Sequence, residues 1–320
     1  MSTQNQPSQW QKSITGDWHG IPAIFDADGN HVGFDHVERA SRFEDGRITY
    51  TMNTRLDVTG PLRTRYEAQN FAFGVKDDGK DRIYMGPDFM GAGHPYGMVV
   101  DSHYYSPGWT SDLRTLVHVL PDGKTQVYSS LLFEGPKLVA GFNGLYKVAF
   151  DYPGNPETKS VIDAHIAAER KAGPTPHILP FKRAGVWSGE MQVFDADQNR
   201  LGATSATITY RPLSLLRAAV EVNLTGAFKK SFRFERSRVN NRHMFEGPDV
   251  FGNGVAFGRA LFTTQHIYGE ALKIRGREFL VDDKLNLSVV WQVFASDKPK
   301  YMVYGLLAWE PGEELLKATY

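Results

Sequence analysis

Three residues whose side chains can exchange protons stand at alternate positions of one stretch of the sequence. Asp101, His103 and Tyr105 have this spacing, and alternate residues of a β-strand lie on one face of the sheet. An aspartate that orients a histidine, with a tyrosine as proton donor, can carry out acid–base chemistry. We therefore predict His103 as the general base, Asp101 as the residue that orients it, and Tyr105 or His94 as the proton donor.

Several residues close to this set could provide the surface that binds a ligand. Aromatic rings offer flat apolar area to a ring or polyene, and their polar ends usually meet a partner. The residues that we predict to contact the ligand are Tyr96, Tyr104, Trp109, His118 and Ser130.

The elements that must position these residues come from an internal duplication. Residues 16–33 read GDWHGIPAIFDADGNHVG and residues 185–202 read GVWSGEMQVFDADQNRLG, with nine of 18 positions identical. Residues 86–97, GPDFMGAGHPYG, return as GPDVFGNGVAFG at residues 247–258, with six of 12 positions identical. A period of this length is far too long for a solenoid, so the sequence predicts a duplicated domain.

A comparison of the two repeats locates the predicted site in the first one. At the offset of 161 the face with the acid–base set becomes mostly apolar, because Asp101 aligns with Phe262 and His103 with Thr264. An apolar face is expected to point inward, so the interior of the first repeat should be roomier and more polar than that of the second. The further replacements in the second repeat are Val255 for His94, His266 for Tyr105, Phe279 for His118 and Trp291 for Ser130. The competing interpretation is that this face points to solvent, where Asp and His need no functional explanation.

The pattern along each repeat is one of many short strands with turn signals at close intervals. Such a pattern predicts an all-β sandwich or barrel. One helix is predicted between the repeats, because Asn155 can cap it, Pro156 suits its first position and Gly173 can end it. Prolines at 174, 176 and 180 then form a linker. We therefore predict two domains, residues 1–174 and 175–320.

Both repeats begin with a G-x-W motif at the start of a first strand, Gly16-Asp17-Trp18 and Gly185-Val186-Trp187. This motif is the lipocalin signature, in which the Trp plugs the closed end of an up-and-down β-barrel. The chain resembles tandem lipocalin-like (calycin) proteins. It is most similar to a bacterial lipocalin-like family of unknown function and, more distantly, to two-domain carotenoid hydratases and fungal lipocalin-like Diels–Alder cyclases.

The resemblance implies an all-β fold of two tandem lipocalin-like antiparallel β-barrels, joined by a helix and a Pro-rich linker. A barrel of eight strands can be filled by side chains or can hold one small ligand. Lipocalins pack an Arg on the signature Trp, and Arg114 and Arg275, which match between the repeats, are the candidates for this role.

Composition narrows the classes of partner and compartment. Lys plus Arg and Asp plus Glu are both 36, so the chain has no general attraction to nucleic acid or to an anionic membrane. The absence of cysteine excludes disulfides and thiolate chemistry. The sequence shows no signal peptide and no apolar run of 18 residues. We therefore predict a cytoplasmic protein without membrane insertion, and the sequence leaves its oligomeric state open.

Two acidic stretches could be read as metal sites. Asp26, Asp28 and Asn30 begin as a calcium loop does, but Val37 stands where the bidentate Glu belongs. A hairpin turn is the better interpretation, and it applies equally to residues 195–199. We predict no metal ion and no other cofactor.

Two further segments have a structural and a functional interpretation. The Gly-rich residues 86–97 predict either a wide turn or a mobile rim over the barrel mouth, with His94 and Tyr96 facing the ligand. The segment FKKSFRFERSR, residues 228–238, mixes Phe with Lys and Arg, as in proteins that bind single-stranded nucleic acid. Phe232 and Phe234 are more simply explained as inward-facing residues of a strand.

Two functions remain after these exclusions. The first is a cofactor-independent enzyme that acts on a small, largely apolar molecule, aromatic, terpenoid or polyketide-like, as an isomerase, cyclase, hydratase or lyase. Its site would lie in or at the mouth of the first barrel. The second is a lipocalin-like carrier that binds such a molecule without changing it. A protein-binding scaffold has no support from any charged or apolar segment.

Overall fold

The structure is a computed structural model that describes residues 6–60, 62–63, 70–78, 80–87, 89–108, 110–152, 154–177 and 182–316. The chain divides into two compact units, Met1–Thr175 and Pro176–Tyr320. Within the described ranges no helix combines the length and the apolar character needed to cross a membrane.

The first unit is an antiparallel barrel. Its elements are α1 (Gln9–Ile14), β1 (Gly16–Gly20), β2 (Ala23–Asp26), β3 (His31–Glu44), β4 (Arg47–Val58), β5 (Asn70–Asp78), β6 (Asp81–Gly86), β7 (Phe89–Tyr96), β8 (Val99–Ser106), β9 (Ser111–Val119), β10 (Thr125–Glu134) and β11 (Lys137–Ala149). Consecutive strands pair from β2 to β11, and β1 and β2 each pair with both β3 and β11. The short strands β1 and β2 therefore share one position in the ring and close it.

The second unit is a closed antiparallel barrel of ten strands. They are β12 (Arg183–Asp195), β13 (Arg200–Ser214), β14 (Arg217–Gly226), β15 (Lys230–Val239), β16 (Arg242–Pro248), β17 (Val250–Phe257), β18 (Ala260–Ile267), β19 (Leu272–Leu280), β20 (Leu287–Ala295) and β21 (Lys298–Glu314). The predicted fold class, two tandem lipocalin-like antiparallel barrels, is confirmed.

The two signature tryptophans occupy equivalent buried positions. Trp18 lies in β1 between β3 and β11, and Trp187 lies in β12 between β13 and β21. Both side chains are almost completely buried. This correspondence confirms that the two barrels are copies of one architecture.

A long helix, α2 (Pro156–Ala172), follows the first barrel. The Asn155 side chain accepts hydrogen bonds from the backbone N–H groups of Glu157 and Thr158, and Pro156 occupies the first turn. Gly173 follows as the C-terminal cap residue. The predicted start and end of this helix are confirmed. Of the Pro-rich linker, residues 178–181 lie outside the described residues.

A short helix precedes the first strand. Residues Gln9–Ile14 form helix α1, which Ser8 caps through the backbone N–H of Gln11. Trp10 and Ile14 are buried in a cluster that includes Ile48 of the barrel. The indole N–H of Trp18 donates to the carbonyl of Ile14 at 2.9 Å. Helix α1 therefore closes one end of the first barrel.

The two acidic stretches are hairpin turns, as predicted. Oδ1 of Asp26 accepts hydrogen bonds from the backbone N–H groups of Asp28 and Asn30, at 3.0 and 2.9 Å. The Asp195 carboxylate accepts from Asn199 in the same way. The carboxylate oxygens of both aspartates therefore accept hydrogen bonds from their own turns.

The Gly-rich segment is neither a wide turn nor a rim. Residues Phe89–Tyr96 form strand β7. The segment is rich in glycine because neighbouring side chains leave no room for a larger residue. A Cβ atom on Gly93 would lie 2.5 Å from the Tyr84 hydroxyl oxygen. Glycine is therefore required here for close approach inside a strand. In β15, Phe232 and Phe234 are buried while Arg233 is exposed, which confirms the structural interpretation of that segment.

Candidate functional site

The interior of the first barrel contains a cavity of about 180 Å³. Apolar atoms make up most of the surface of its wall, although about half of the lining residues also carry a polar group. The residues that carry the polar groups are Asp35, Arg39, Thr54, Ser106, Ser111, Thr115, Tyr50, Tyr84, Tyr104, Tyr128 and Tyr146. The comparable space in the second barrel is about 30 Å³ and is bordered by Trp187, Phe232, Phe234, Phe245 and Trp291 among others. The first barrel therefore has room for a ligand, whereas large rings fill the second.

Asp35 is the one carboxyl group among the described residues that line this cavity. It lies on the inner face of β3, and its Oδ1 is shielded from solvent and has no hydrogen-bond partner among the described residues. Burial raises the pKa of Asp35 from 3.8 to about 7, and a hydrogen bond from Thr54 partly opposes this rise. A carboxyl group with a pKa close to neutral can both donate and accept a proton at physiological pH.

Five tyrosines surround the same space. Burial raises the pKa of Tyr50 to about 12 and holds the pKa of Tyr104 well above its usual range. Burial, then Tyr128 and the Asp35 carboxylate, raise the pKa of Tyr146. The rings of Tyr128 and Tyr146 stack with their centroids 5.1 Å apart. Tyr50, Tyr104 and Tyr146 therefore stay neutral at physiological pH and can donate hydrogen bonds to an oxygen of a ligand.

Arg39 reaches the closed end of the cavity from β3. Its guanidinium lies 5.7 Å from the centroid of the Trp18 ring and 5.5 Å from that of Tyr50. Its Nη2 donates to Oε1 of Gln126 at 3.0 Å. Arg39 is therefore the residue that packs on the signature Trp.

The prediction that Arg114 and Arg275 pack on the tryptophans is wrong. Arg114 lies over Phe133 at 4.4 Å, and Arg275 lies over Phe294 at 5.1 Å. In the second barrel Trp187 packs instead against Trp309, with ring centroids 4.5 Å apart. The partner of each Trp comes from the strands that flank it, because Trp18 faces Arg39 in the β1–β3 register and Trp187 faces Trp309 in the β12–β21 register.

The predicted acid–base set does not face the cavity. Val100, Tyr104 and Ser106 of β8 border the interior, so the alternate residues Asp101, His103 and Tyr105 lie on the outer face. The His103 side chain is 60% exposed, and its Nε2 lies 2.8 Å from Oδ1 of Asp112, a different acid from the predicted Asp101. Tyr105 is exposed and Asp101 is half-buried. The inward orientation predicted from the repeat comparison is therefore wrong.

His94 and Tyr96 are also absent from the cavity wall. The Nδ1 of His94 lies 2.7 Å from Oδ1 of Asp81, in a pair whose two side chains are both half exposed. His94 stands opposite Asp101 in the β7–β8 register, and Tyr96 stands opposite Val99. The two histidines thus meet aspartates on the barrel surface rather than a substrate in its interior.

The remaining predicted contacts divide between the inside and the outside of the barrel. Tyr104 borders the cavity, and buried Ser130 is hydrogen-bonded at 2.6 Å to Thr115, which also borders it. His118 is buried on the opposite face from Thr115 and Val117, and burial lowers its pKa to about 4. Trp109 lies outside the described residues. The structure thus brings Tyr104 and Ser130 to the cavity and separates His118 from it.

The residues that sequence reasoning missed are those of β3 and β4. The same repeat comparison, extended to these strands, carries a clear signal: Asp35 corresponds to Thr204, Arg39 to Ile208, Tyr50 to Val220 and Thr54 to Leu224. Three further interior phenols also lose their hydroxyl group. Tyr84 corresponds to Phe245, Tyr128 to Val289 and Tyr146 to Leu307. Asp35, Arg39 and these phenols are thus specific to the first repeat, whereas the polar groups beside the smaller cavity of the second barrel are Tyr210, Arg236, Gln265 and Glu278.

Among the described residues there is no group of three or more His, Asp or Glu side chains placed to hold a metal ion.

Comparisons with known proteins support the fold and no more. A protein of unknown function from the DUF3598 family of Nostoc punctiforme has a similar structure, with a TM-score of 0.55 and 11% identity over 96% of this chain and 100% of that one. Kievitone hydratase from Nectria haematococca aligns with 10% identity over 97% of this chain and 92% of that one, but at a TM-score of 0.20 this likeness carries no argument. No family model and no curated protein matches the sequence.

Proposed function

We propose that the first barrel is a cofactor-independent acid–base enzyme that acts on a small, largely apolar molecule inside its cavity. One observation carries the proposal: a carboxyl group, Asp35, stands in a mostly apolar cavity with a shielded oxygen and a pKa of about 7. Buried carboxyl groups with such values are characteristic of catalytic sites. Asp35 replaces the outer-face His103 as the proton-transferring group.

The chemistry that this set of groups can carry out is proton transfer at a carbon next to a carbonyl group. The Asp35 carboxylate removes a proton from that carbon, and the electron pair moves to the oxygen. A neutral phenol, for example Tyr146, donates a hydrogen bond to the developing negative charge. Protonated Asp35 then returns the proton to a different carbon of a conjugated enolate, which gives isomerisation. Alternatively it protonates a hydroxyl group on the β carbon, and the C–O bond breaks as the electron pair returns from the oxygen, which gives elimination of water. The reverse of elimination is hydration.

A carrier function is the second candidate, because apolar groups form most of the cavity wall. A carrier would hold the same class of ligand without proton transfer. A cavity of about 150 Å³ in another protein accommodates a benzene ring, so a cavity of about 180 Å³ suits a compound of one ring or two small fused rings.

One probe separates the two candidates. 2-Indanone is a neutral two-ring ketone with exchangeable protons beside its carbonyl. Incubation in D₂O with proton NMR reports proton transfer, and quenching of Trp10, which borders the cavity, reports binding. We expect the wild-type chain to accelerate exchange and Asp35→Asn to lose a factor of about 10²–10⁴, the usual contribution of one acid–base group.

The matched control is His103→Ala, which removes the exposed histidine of the outer face. Exchange should continue at the wild-type rate in this variant. Binding of 2-indanone with no exchange above that of Asp35→Asn would favour the carrier. Equal losses in His103→Ala and Asp35→Asn would refute the interior site.

A further inference from the structure

A small cavity lies in the second barrel, beside the hairpin that joins β13 to β14. Its volume is about 10 Å³, which is room for one water-sized particle. Leu215 and Leu216 at its border are 61% and 54% exposed, so the cavity lies close to solvent. The buried part of its border contains His177, Arg236 and His243, and each of these side chains is more than nine-tenths buried.

The shielded side-chain atoms without a partner at this cavity are all nitrogens. They are Nη2 of Arg236, Nε2 of His243 and both ring nitrogens of His177, and none of them has a hydrogen-bond partner among the described residues. A buried polar group without a partner costs stability. Such groups in a folded protein therefore need an explanation, and a bound water molecule or ion is one.

The hydrogen bond between Arg236 and His243 shows that these nitrogens are mostly donors. Nε of Arg236 donates to Nδ1 of His243 at 3.0 Å, and a guanidinium cannot accept, so the proton of the neutral ring is on Nε2. Burial, then the charge of Arg236, lowers the pKa of His177 and of His243, and a contact of His177 with its own backbone opposes this only partly. Both rings are therefore neutral at physiological pH, and each carries one N–H group.

Donors beside a positive charge favour an anion over a water molecule. A water molecule brings two hydrogens that need acceptors, whereas the unpartnered groups here offer at most one lone pair, on His177. An anion accepts only, and the Arg236 charge attracts it. The same charge repels a metal ion, and no three His, Asp or Glu side chains in the described parts of the chain are placed to bind one.

Glu278 does not fill this role. Its Oε2 lies 3.7 Å from the other terminal nitrogen of Arg236, Nη1. Glu278 borders the interior space that Trp187 and Trp291 also border, and it is not among the residues around the cavity of the two histidines. The Glu278 carboxylate therefore leaves Nη2 of Arg236 without an acceptor.

The cluster is specific to the second repeat. At the offset of 161, Arg236 takes the place of the buried Val75, and His243 takes the place of Arg82. The strand registers agree with this correspondence. The first barrel closes without such a cluster, so the shared architecture gives no reason for two buried histidines beside an arginine.

We propose that this cavity binds a monatomic anion of the size of chloride, held by the Arg236 guanidinium and by the N–H groups of His177 and His243. A phosphate or sulfate ion exceeds the space. The anion accepts the hydrogen bonds that these donors otherwise lack, and it therefore stabilises the folded second barrel by mass action. The proposal does not depend on the function of the first barrel.

Anomalous diffraction locates the ion. Crystals of the full chain are grown in sodium bromide, because bromide replaces chloride and has a measurable anomalous signal. We expect a bromide peak in the cavity, in contact with Nη2 of Arg236 and with an N–H group of at least one of the two histidines. Water density without an anomalous signal in the cavity, or bromide on the protein surface alone, would overturn the proposal.

Urea unfolding of the full chain measures the effect of the ion in solution. Circular dichroism follows unfolding in sodium chloride and in sodium gluconate at equal ionic strength, since gluconate is too large for the cavity. Above the dissociation constant, each tenfold rise in chloride should shift the unfolding equilibrium about tenfold toward the folded state. Equal stability in the two salts would contradict the proposal.

Two variants separate the site from a general effect of salt. His243→Asn places an oxygen near the position of Nδ1, so Arg236 keeps an acceptor, but it removes the Nε2 donor and should lose most of the chloride effect. His177→Phe keeps a ring and removes two unpartnered nitrogens. It should be at least as stable as wild type in gluconate and gain less from chloride.

The matched control is His118→Phe, which replaces a buried histidine of the first barrel. This variant should keep the full chloride effect. A chloride effect of the same size in wild type, His243→Asn and His177→Phe would show that the salt acts elsewhere and would refute the site.

Discussion

At the scale of single residues, several interior positions of the first barrel carry a polar group where the second barrel has hydrocarbon, as Arg39 does in place of Ile208 and Tyr50 in place of Val220. Asp35 adds a carboxyl group at the position that Thr204 occupies in the second barrel. A buried carboxyl group with an unpaired oxygen costs stability unless it stays protonated. Asp35 therefore lowers the stability of the fold, and packing alone gives no reason for a carboxyl group at this position.

Asp35 should make stability depend on pH in a defined direction. Its pKa is raised in the folded chain, from 3.8 to about 7, so between these values the unfolded chain releases the proton and the folded chain keeps it. Stability should fall as pH rises through this window, by up to about 4 kcal/mol from a shift of about three pKa units. Urea unfolding at pH 5 and pH 8.5 should show a smaller loss in Asp35→Asn than in wild type. An identical loss in both proteins would argue against a raised pKa at Asp35.

At the scale of elements, strand β8 shows where reasoning from sequence succeeds and where it fails. The residue pattern predicts that a strand exists here. It does not show which of the two sets of alternate side chains faces the interior of the barrel. Val99 and Leu116 are buried although they lie on the outer face, so burial does not mark the interior here. The apolar counterparts in the second repeat, such as Phe262, are likewise buried and suggested the wrong face.

His118, like Val99 and Leu116, is a buried residue of the outer face, and it gives a second prediction. Burial lowers its pKa from 6.5 to about 4, so the unfolded chain gains a proton in this window before the folded chain does. Stability should therefore fall as pH drops from 6.5 to 4, by about 3 kcal/mol from this residue. His118→Phe installs the residue of the second repeat, Phe279, and should remove that part of the slope. Chemical unfolding of both proteins at pH 7 and pH 4 measures the difference, and parallel slopes would disprove the assignment.

At the scale of the whole molecule, most of the architecture can be predicted from sequence, whereas most of the site cannot. The duplicated G-x-W motif and the turn signals predict two barrels, and the capping residues predict helix α2. These features depend on local chemistry and on repetition. The site depends on which side chains of distant strands converge, and only three-dimensional pairing brings Asp35 of β3 together with Tyr146 of β11.

The central claim is that the functional site lies inside the first barrel, beside Asp35. A crystal structure of the protein with 2-indanone tests it most directly. We predict the ketone in the first barrel, with its oxygen within hydrogen-bond distance of Asp35 or of an interior tyrosine hydroxyl, and no ketone in the filled second barrel. Density for 2-indanone on the outer face beside His103, or within the second barrel alone, would contradict the account.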